Sequence, residues 1–279
     1  MDSASTPDMQ REIPPSDQAR KVLAVVDLAS ELVMKYYQQT LDVQFKKDEF
    51  DPVTVADKES DKLLRSKIHE LFPDDLILSE ENADIPESYD GRVWMIDPLD
   101  GTKDFVNGKD GFSINIGLLE NGQAVFGCVS VPARGQTFYA EKGMGAFEKV
   151  GDNYQRLHVT DVDEVNEARL VTRNPSGDPR PIEAKIDPMP FKQRIPDGGI
   201  GTKLALIAAG KAEAHINTNF RASKWDTLGP QLIVEEAGGI VTDFDGQPLD
   251  YNKPAVQWER SFVASNSPKL HAEILKNLR

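Results

Sequence analysis

The sequence has little that would cross-link the chain or anchor it in a membrane. It contains a single cysteine, Cys128, so no disulfide can form within the chain. Cys128 lies in an apolar run with Val125, Phe126 and Val129, where a buried, reduced thiol is the usual finding. No run approaches the ~18 apolar residues of a membrane span, and the polar residues 1–15 lack the apolar centre of a signal peptide. These absences predict a cytoplasmic protein in which residues 1–15 form a disordered tail.

Positive charge is also scarce. Lysine and arginine number 32 against 46 aspartates and glutamates, which gives a net charge of −14. Because DNA and RNA polymers are bound through basic surfaces, this balance argues against a nucleic-acid polymer as partner. A small phosphorylated substrate remains compatible with the charge if a metal ion supplies positive charge locally.

Several familiar catalytic motifs are missing. The chain has no Gly-x-Ser-x-Gly nucleophile elbow and no Gly-x4-Gly-Lys-Ser/Thr phosphate loop. The four histidines are scattered without the spacing of zinc ligands: they are His69, His158, His215 and His271. The sequence therefore gives no support to serine hydrolysis, P-loop chemistry or zinc chemistry.

The first half of the chain predicts two helices on one side of a largely antiparallel sheet. Apolar residues at helical spacing predict a helix from an N-cap at Ser16 to about residue 39 and another over 57–71, with a turn or loop region over 41–56. Asn121-Gly122 between two apolar runs is a strong hairpin signal. The predicted strands are 76–78, 93–96, 113–119, 125–131 and 137–140.

The second half alternates strands and helices more regularly. The predicted strands are 169–172, 212–216, 240–242 and 261–264. The predicted helices are 201–210, 226–237 and one that starts after an N-cap at Ser267 with Pro268 at its first position. With 279 residues the chain can form one large domain or two closely packed ones. We place the boundary near residues 150–165, which predicts an α+β domain over 16–155 and an α/β domain over 156–279.

The most informative segment runs from Trp94 to Phe105. An apolar strand ends in Asp97, and a turn brings Asp100 back to the same side. Two carboxylates three residues apart on a tight turn can bind hard cations, with the Leu99 carbonyl as a further oxygen ligand. If a helix starts next, the Gly101 and Thr102 N–H groups can meet a phosphate. An isolated Asp-x-x-Asp is, however, more often a solvated turn.

Three further carboxylates bear on that choice. Glu80 follows the strand at 76–78 as Asp97 follows its own, so two neighbouring strands would bring these side chains together. Asp57 and Asp226 each stand at the start of a predicted helix. Taken alone, Glu80 is typical of a surface residue, and the two aspartates are typical of helix N-caps.

Taken together, these motifs resemble the inositol monophosphatase superfamily, the lithium-sensitive, metal-dependent phosphatases of sugars and nucleotides. The resemblance is carried by Asp97-Pro-Leu-Asp-Gly-Thr102, Glu80-Glu81, the segment Val53 to Asp57, and Trp225-Asp226 followed by Val234-Glu-Glu-Ala-Gly-Gly239. These motifs stand in the family's order. The resemblance implies a mixed α+β and α/β fold, a layered αβαβα sandwich, and a magnesium-dependent phosphomonoester hydrolase.

The resemblance also implies a set of metal ligands and therefore a cofactor of two or three Mg²⁺ ions. Glu80, Asp97 and the Leu99 carbonyl would hold a first ion. Asp97, Asp100 and Asp226 would hold a second, and Glu80 with water a third, weaker one. Oxygen ligands of this kind suit magnesium.

For catalysis, the resemblance implies that Asp57 and Thr102 orient and deprotonate the attacking water. Lys203 and Asn219 would contact the part of the substrate beyond the phosphate, although an exposed lysine is otherwise only a solvated charge. The full set of implied substrate contacts is Glu80, Leu99, Asp100, Gly101, Thr102, Lys203, Asn219 and Asp226.

Within the family, three features favour the 3′(2′),5′-bisphosphate nucleotidase branch. They are Lys103-Asp104-Phe105, the run Ile207 to Ala212 with Lys203 upstream, and Asn219 where inositol phosphatases usually carry a glutamate. The sequence thus predicts conversion of adenosine 3′,5′-bisphosphate to AMP and phosphate. The alternatives are an inositol monophosphatase, a broader sugar phosphatase and, in a different class, an inactive phosphate-binding regulator. The expected partners are a small phosphorylated substrate and no membrane, in a monomer or homodimer.

Overall fold

The computed structural model describes residues 15–39, 43–45, 52–82, 85, 88–173, 180, 182–218 and 222–279. The predicted tail lies outside these residues except for Pro15, as does half of the predicted loop at 41–56. Within the described ranges, no helix combines the length and the apolar character needed to cross a bilayer.

The helices are built from the amphipathic segments of the sequence. They are α1 (Asp17–Tyr36), α2 (Val55–Leu71), α3 (Thr102–Val106), α4 (Glu183–Ile186), α5 (Ile200–Ala208), α6 (Lys224–Glu236) and α7 (Pro268–Leu278). The N-caps predicted at Ser16 and Ser267 are confirmed, because the Ser16 hydroxyl accepts the Ala19 N–H and the Ser267 hydroxyl accepts the Leu270 N–H.

The strands fall into three sheets among the described residues. They are β1 (Gln44–Phe45), β2 (Pro52–Val53), β3 (Leu76–Ser79), β4 (Arg92–Asp100), β5 (Ser113–Glu120), β6 (Gln123–Val131), β7 (Gln136–Glu141), β8 (Gly145–Val150), β9 (Asn153–Arg156), β10 (Arg169–Arg173), β11 (Gln193–Asp197), β12 (Ala214–Ile216), β13 (Ile240–Asp243) and β14 (Phe262–Ser265). The sequence did not predict β8, β9, β11 or α4. In the predicted loop at 41–56, the described part contains the short antiparallel pair β1–β2.

The larger sheet has seven strands in sequence order, from β3 to β9. β3 and β4 are parallel and every other pair is antiparallel, as the first half of the sequence predicts. The hairpin predicted at Asn121-Gly122 joins β5 to β6, and Asn121 (φ 48°) and Gly122 (φ 78°) both adopt the positive φ that such a turn requires. The smaller sheet has the order β11-β10-β12-β14-β13.

Three hydrophobic clusters divide the molecule into layers. One joins α1 and α2 to the outer face of the larger sheet. A second lies between the two sheets and contains the apolar faces of α5 and α6. A third joins α4 and α7 to the far face of the smaller sheet. The predicted layered αβαβα architecture is therefore confirmed, while the division into two domains near residue 156 stays a prediction.

Cys128 lies in the first of these clusters and is fully buried, as predicted. Burial raises the pKa of its thiol well above the usual range, because the thiolate would lose its hydration there. The residue is therefore an apolar core side chain that is protected from oxidation.

Helix α6 packs against the larger sheet at backbone distance. Gly117 of β5 and Gly127 of β6 are cross-strand partners, and Gly229 of α6 lies against both. A Cβ added at Gly127 would lie 2.3 Å from the Gly229 carbonyl oxygen, and one added at Gly229 would lie 2.3 Å from the Ile116 carbonyl oxygen. No side chain fits at this contact without displacing the helix. The glycines therefore set the height of α6, and of Asp226 in its first turn, above the strands.

Two buried histidines are held neutral by the fold. His215 donates its Nδ1–H to the Val171 carbonyl at 3.0 Å, and His271 lies between the hydroxyls of Thr242 (2.7 Å) and Ser265 (2.8 Å). Burial, with a smaller contribution from the nearby Lys203 charge, lowers the pKa of His215 to about 3. Burial lowers the pKa of His271 to about 4.

These histidines make stability depend on pH. Since their folded-state pKa values lie below the ordinary value, the unfolded chain binds more protons, and stability is lost as the pH falls below about 6.5. We expect each to cost ~2 kcal/mol of unfolding free energy by pH 5. Urea unfolding of the wild type and of His271→Gln between pH 7.5 and 5 tests this, since the variant should lose about half of the combined dependence. An unchanged slope in the variant would contradict it.

Candidate active site

Strands β3 and β4 bring Glu80 and Asp97 to one edge of the larger sheet. Ser79 pairs with Ile96 in parallel register, and the Glu80 N–H donates to the Ile96 carbonyl at 3.1 Å. The sequence predicted this juxtaposition from two neighbouring strands, and the strands are indeed neighbours.

A bulge in β4 places Asp97 and Asp100 on the same side. Successive side chains of a strand point to opposite faces, so residues three apart would normally diverge. Asp97 pairs with Asn115 and Asp100 with Ser113, which leaves one extra residue on β4 between the two pairs. Pro98, which has no N–H to donate, lies within this irregular stretch. The carboxylates therefore converge where a regular strand would separate them.

Asp57 and Asp226 occupy equivalent positions in two capping boxes. The N-caps of the two helices are Thr54 and Ser223, and Asp57 and Asp226 are each the third residue of their helix. The alternative that the two aspartates are themselves N-caps is therefore wrong. Asp57 Oδ2 accepts the Thr54 N–H at 2.8 Å, and Asp226 Oδ2 accepts the Ser223 N–H at 2.6 Å. One oxygen of each carboxylate thus stabilises the start of a helix, and the other oxygen is available to groups of the candidate site.

Thr102 joins Asp57 to the turn that follows β4. The Thr102 hydroxyl lies 2.8 Å from Asp57 Oδ1 and 3.0 Å from the Leu99 carbonyl oxygen, and its single proton can be donated to one of them at a time. Burial raises the pKa of Asp57, while hydrogen bonds from Thr54 and Thr102 act in the opposite direction. The arrangement is a carboxylate that can accept a proton through a hydroxyl.

Glu80, Asp97 and Asp226 form the acidic centre of the site. Each offers a carboxylate oxygen, and these oxygens all lie within 4.8 Å of one another. Burial, and then the charges of the neighbouring carboxylates, raise the pKa of Asp97 and of Asp226 well above the ordinary value. Because the cluster is partly buried, acidic and built from oxygen donors, it fits a hard divalent cation such as Mg²⁺.

Asp100 lies beside this centre and contacts α5 of the other half of the chain. Its Oδ2 accepts the Gly201 N–H at 2.7 Å and the Asn115 side-chain amide at 3.2 Å, and Ser113 Oγ lies 3.4 Å away. Its charge contributes to the raised pKa of both neighbouring aspartates, and burial raises its own pKa. The donors on β5 and α5 were not found from the sequence, because they reach Asp100 only through strand register and helix packing.

Gly101 starts α3 in a conformation that only glycine adopts easily. Its φ is 85°, and an added Cβ would lie 3.2 Å from both the Gly111 carbonyl oxygen and the Gly199 nitrogen. The helix that the sequence made conditional is present from Thr102, so N–H groups of its first turn lack partners within the helix. The sequence assigns the Thr102 N–H of this turn, together with the Gly101 N–H just before the helix, to the phosphate.

Lys203 lies inside the protein, in the first turns of α5. The sequence left open whether it is an exposed charge, and it is 5% exposed, with its Nζ donating to the Gly198 carbonyl. Burial lowers the pKa of its amine, against the effects of Asp100 and Asp197. Asn219, the other predicted contact beyond the phosphate, lies outside the described residues.

Comparison with known proteins agrees with this geometry. Residues 17–279 match the model of the inositol monophosphatase family. A 3′(2′),5′-bisphosphate nucleotidase CysQ from Aggregatibacter actinomycetemcomitans is 33% identical over 248 residues, which cover 88% of this chain and 89% of that protein. Inositol monophosphatase 1 of Homo sapiens is 31% identical over 261 residues, 90% of each chain. The solved structure of an IMPase from Thermotoga maritima superposes with a TM-score of 0.81 at 29% identity, covering 94% of this chain and 97% of that one.

Proposed function

Since this chain belongs to the inositol monophosphatase family, whose members are phosphatases that hydrolyse phosphate monoesters, we propose that it is a magnesium-dependent 3′(2′),5′-bisphosphate nucleotidase. Its reaction is the conversion of adenosine 3′,5′-bisphosphate to AMP and phosphate. The two named relatives act on different substrates, and this chain is about equally identical in sequence to both. The choice between the two substrates therefore depends on the site itself.

The metal would be held by the acidic centre and its neighbours. Glu80, Asp97 and the Leu99 carbonyl would hold one ion, and Asp97, Asp100 and Asp226 would hold a second. Bound there, Mg²⁺ supplies the positive charge that lets an acidic site accept an anionic phosphate and makes a nearby water easier to deprotonate.

Thr102 and Asp57 handle the proton of the attacking water. The water oxygen bonds to phosphorus as the ester P–O bond breaks, and the proton it loses passes toward the Thr102 hydroxyl and Asp57. Because burial raises the pKa of Asp57, its carboxylate accepts a proton more readily than an exposed one does. The leaving oxygen takes up a proton from solvent, and N–H groups at Gly101 and Thr102 hold the phosphate oxygens.

The observation that carries the choice of substrate is the buried cation at Lys203. Its ammonium lies close enough to three carboxylates, Asp100, Asp197 and Asp104, and to the Arg180 guanidinium for each of these charges to affect its pKa. Arg180 is held by a 3.2 Å hydrogen bond to the Thr218 hydroxyl, just after β12. Lys203 beside Asp100, with Arg180 near the Lys203 ammonium, suits a substrate with a second anionic group. An inositol monophosphate offers neutral hydroxyl groups there.

An inositol monophosphatase remains the second candidate, supported by the human relative and the Thermotoga maritima structure. A panel of kcat/KM values for adenosine 3′,5′-bisphosphate, inositol 1-phosphate and fructose 1,6-bisphosphate with Mg²⁺ separates the two. We expect the nucleotide to be preferred by at least about 100-fold, since loss of a charged contact costs ~3 kcal/mol. A clear preference for inositol 1-phosphate would contradict the nucleotidase. No phosphate release from any substrate would favour the inactive regulator.

The Lys203→Met variant tests directly whether the buried cation selects the substrate. Loss of the cation should lower kcat/KM for the bisphosphate by about 10–100-fold and leave inositol 1-phosphate hydrolysis within a few-fold. Lys211→Met, at an exposed lysine eight residues later, is the matched control. An equal loss on both substrates would show that Lys203 supports the fold and does not select the substrate.

A further inference from the structure

Lys224 has no part in the proposed reaction, and its position is an unfavourable one for a lysine. It is the first residue of α6, two positions before Asp226, and its side chain is fully buried. A cation at a helix N-terminus opposes the helix dipole, and a buried ammonium group is costly unless its donors are satisfied. A lysine kept in such a place must have specific partners.

Those partners are carbonyl oxygens and an aromatic ring. Lys224 Nζ donates to the Tyr251 carbonyl at 2.8 Å and to the Lys253 carbonyl, and it lies 3.6 Å from the centre of the Tyr89 ring. Among the described residues no carboxylate lies within ion-pair distance of it. Both carbonyl oxygens accept from Nζ and the face of the ring attracts positive charge, so these surroundings stabilise the charged ammonium form.

Three segments of the chain meet at this ammonium group. One is the start of α6, which carries Asp226. The second is the segment 251–258, whose Val256 carbonyl accepts the Lys224 N–H at 3.0 Å. The third contains Tyr89 and lies between Glu80 and β4. The ammonium group thus contacts both the helix that carries Asp226 and a residue that follows Glu80 along the chain.

Carbonyl oxygens together with the face of an aromatic ring are the typical surroundings of a monovalent cation. We propose that the Lys224 ammonium is a built-in monovalent cation, a positioning residue that fixes the start of α6 against Tyr89 and the 251–253 segment and so sets the separation of Asp226 from Glu80. The link to Mg²⁺ rests on the proposed function, whereas the cation site itself does not.

If this is so, removal of the side chain leaves a cation site that small ammonium ions can fill. Lys224→Ala should unfold at a lower temperature than the wild type. Ethylammonium chloride should restore the thermal midpoint at least in part, whereas tetramethylammonium chloride at the same concentration should not. Tetramethylammonium has the charge and the ionic strength but no N–H to donate. The wild type is the control and should respond equally to both salts.

The metal readout separates positioning from general stability. By calorimetry in the tetramethylammonium salt, Lys224→Ala should bind Mg²⁺ about 10–100-fold more weakly than the wild type, the usual cost of losing a group that orients metal ligands. In the ethylammonium salt, the Mg²⁺ affinity of Lys224→Ala should be at least about tenfold higher than in the tetramethylammonium salt. Lys224→Met keeps the length of the side chain and lacks the charge, so it should show the same weakening without recovery.

Three results would overturn the proposal. They are a Lys224→Met variant with wild-type Mg²⁺ affinity, equal effects of the two salts on folded Lys224→Ala, and a Lys224→Ala variant that stays unfolded in both salts. A wild type that binds no Mg²⁺ would instead contradict the proposed function, and the thermal comparison of the two salts would still test the cation site.

Discussion

Asp97→Asn is expected to lower kcat by more than about 1,000-fold, equivalent to ~4 kcal/mol of transition-state stabilisation. The substitution removes a negative charge and keeps the side-chain shape, in a residue that is 1% exposed and central to the acidic group. Metal-free Asp97→Asn should be at least as stable as the wild type, since burial and then the neighbouring carboxylates, which raise the pKa of Asp97, make its negative charge unfavourable in the fold. The added stability that Mg²⁺ gives the wild type should be lost.

Thermal unfolding with Mg²⁺ and with a chelator, together with phosphate release, measures all three effects. Asp74→Asn is the matched control, because it makes the same chemical change at an exposed carboxylate. Turnover close to that of the wild type would show that Asp97 holds no essential ion. A large loss of metal-free stability would instead indicate that the carboxylate supports the fold.

Thr102→Val is expected to lower kcat by about 10²–10⁴-fold with KM changed only a few-fold. The variant keeps the β-branched shape at the first position of α3 but removes the hydroxyl that lies 2.8 Å from Asp57 Oδ1. Since the proposed role of the hydroxyl is to act on the proton of the attacking water, its loss should affect the chemical step more than substrate binding. Thr102→Ser, which keeps the hydroxyl, should retain most of the activity.

A double variant makes this prediction sharper. Asp57→Asn alone should lower kcat and also cost ~1 kcal/mol of stability through the capping box of α2. If the hydroxyl and the carboxylate act as one unit, adding Asp57→Asn to Thr102→Val should lower kcat little further. Independent, multiplying losses would contradict a shared role.

Much of the site followed from local sequence because its parts are local. Glu80 and Asp97 each end an apolar strand, and the neighbouring strands of one sheet brought them together. The helix starts that carry Asp57 and Asp226 were readable from apolar periodicity. The layered fold was implied by family resemblance, since the number and order of layers cannot be read from periodicity alone.

What the sequence did not yield depends on packing between distant segments. The extra residue between Asp97 and Asp100 is a property of the register with β5. The burial of Lys203 follows from the docking of α5 on the Asp100 turn, where glycines at 111, 198 and 199 let the two backbones meet. Lys224 gave no signal, because the carbonyls that surround its ammonium group lie about 30 residues further along the chain. Strands β8 and β9 are short and partly polar, so their alternation was too weak to detect.

Because of the two capping boxes, not every carboxylate of such a site is evidence of activity when it is found in a relative. Asp57 and Asp226 each stabilise the first turn of a helix. A protein that had lost its catalytic role would therefore still be under selection to keep both residues. Asp97 lies within a strand, enclosed among other acids, and contributes no helix cap. Under the proposed function, a relative with Asp57 and Asp226 but a neutral residue at the place of Asp97 would keep the fold of this protein and lack its reaction. If Asp97 holds the proposed ion, the buried acid in the strand is the position that distinguishes an active phosphatase from an inactive one.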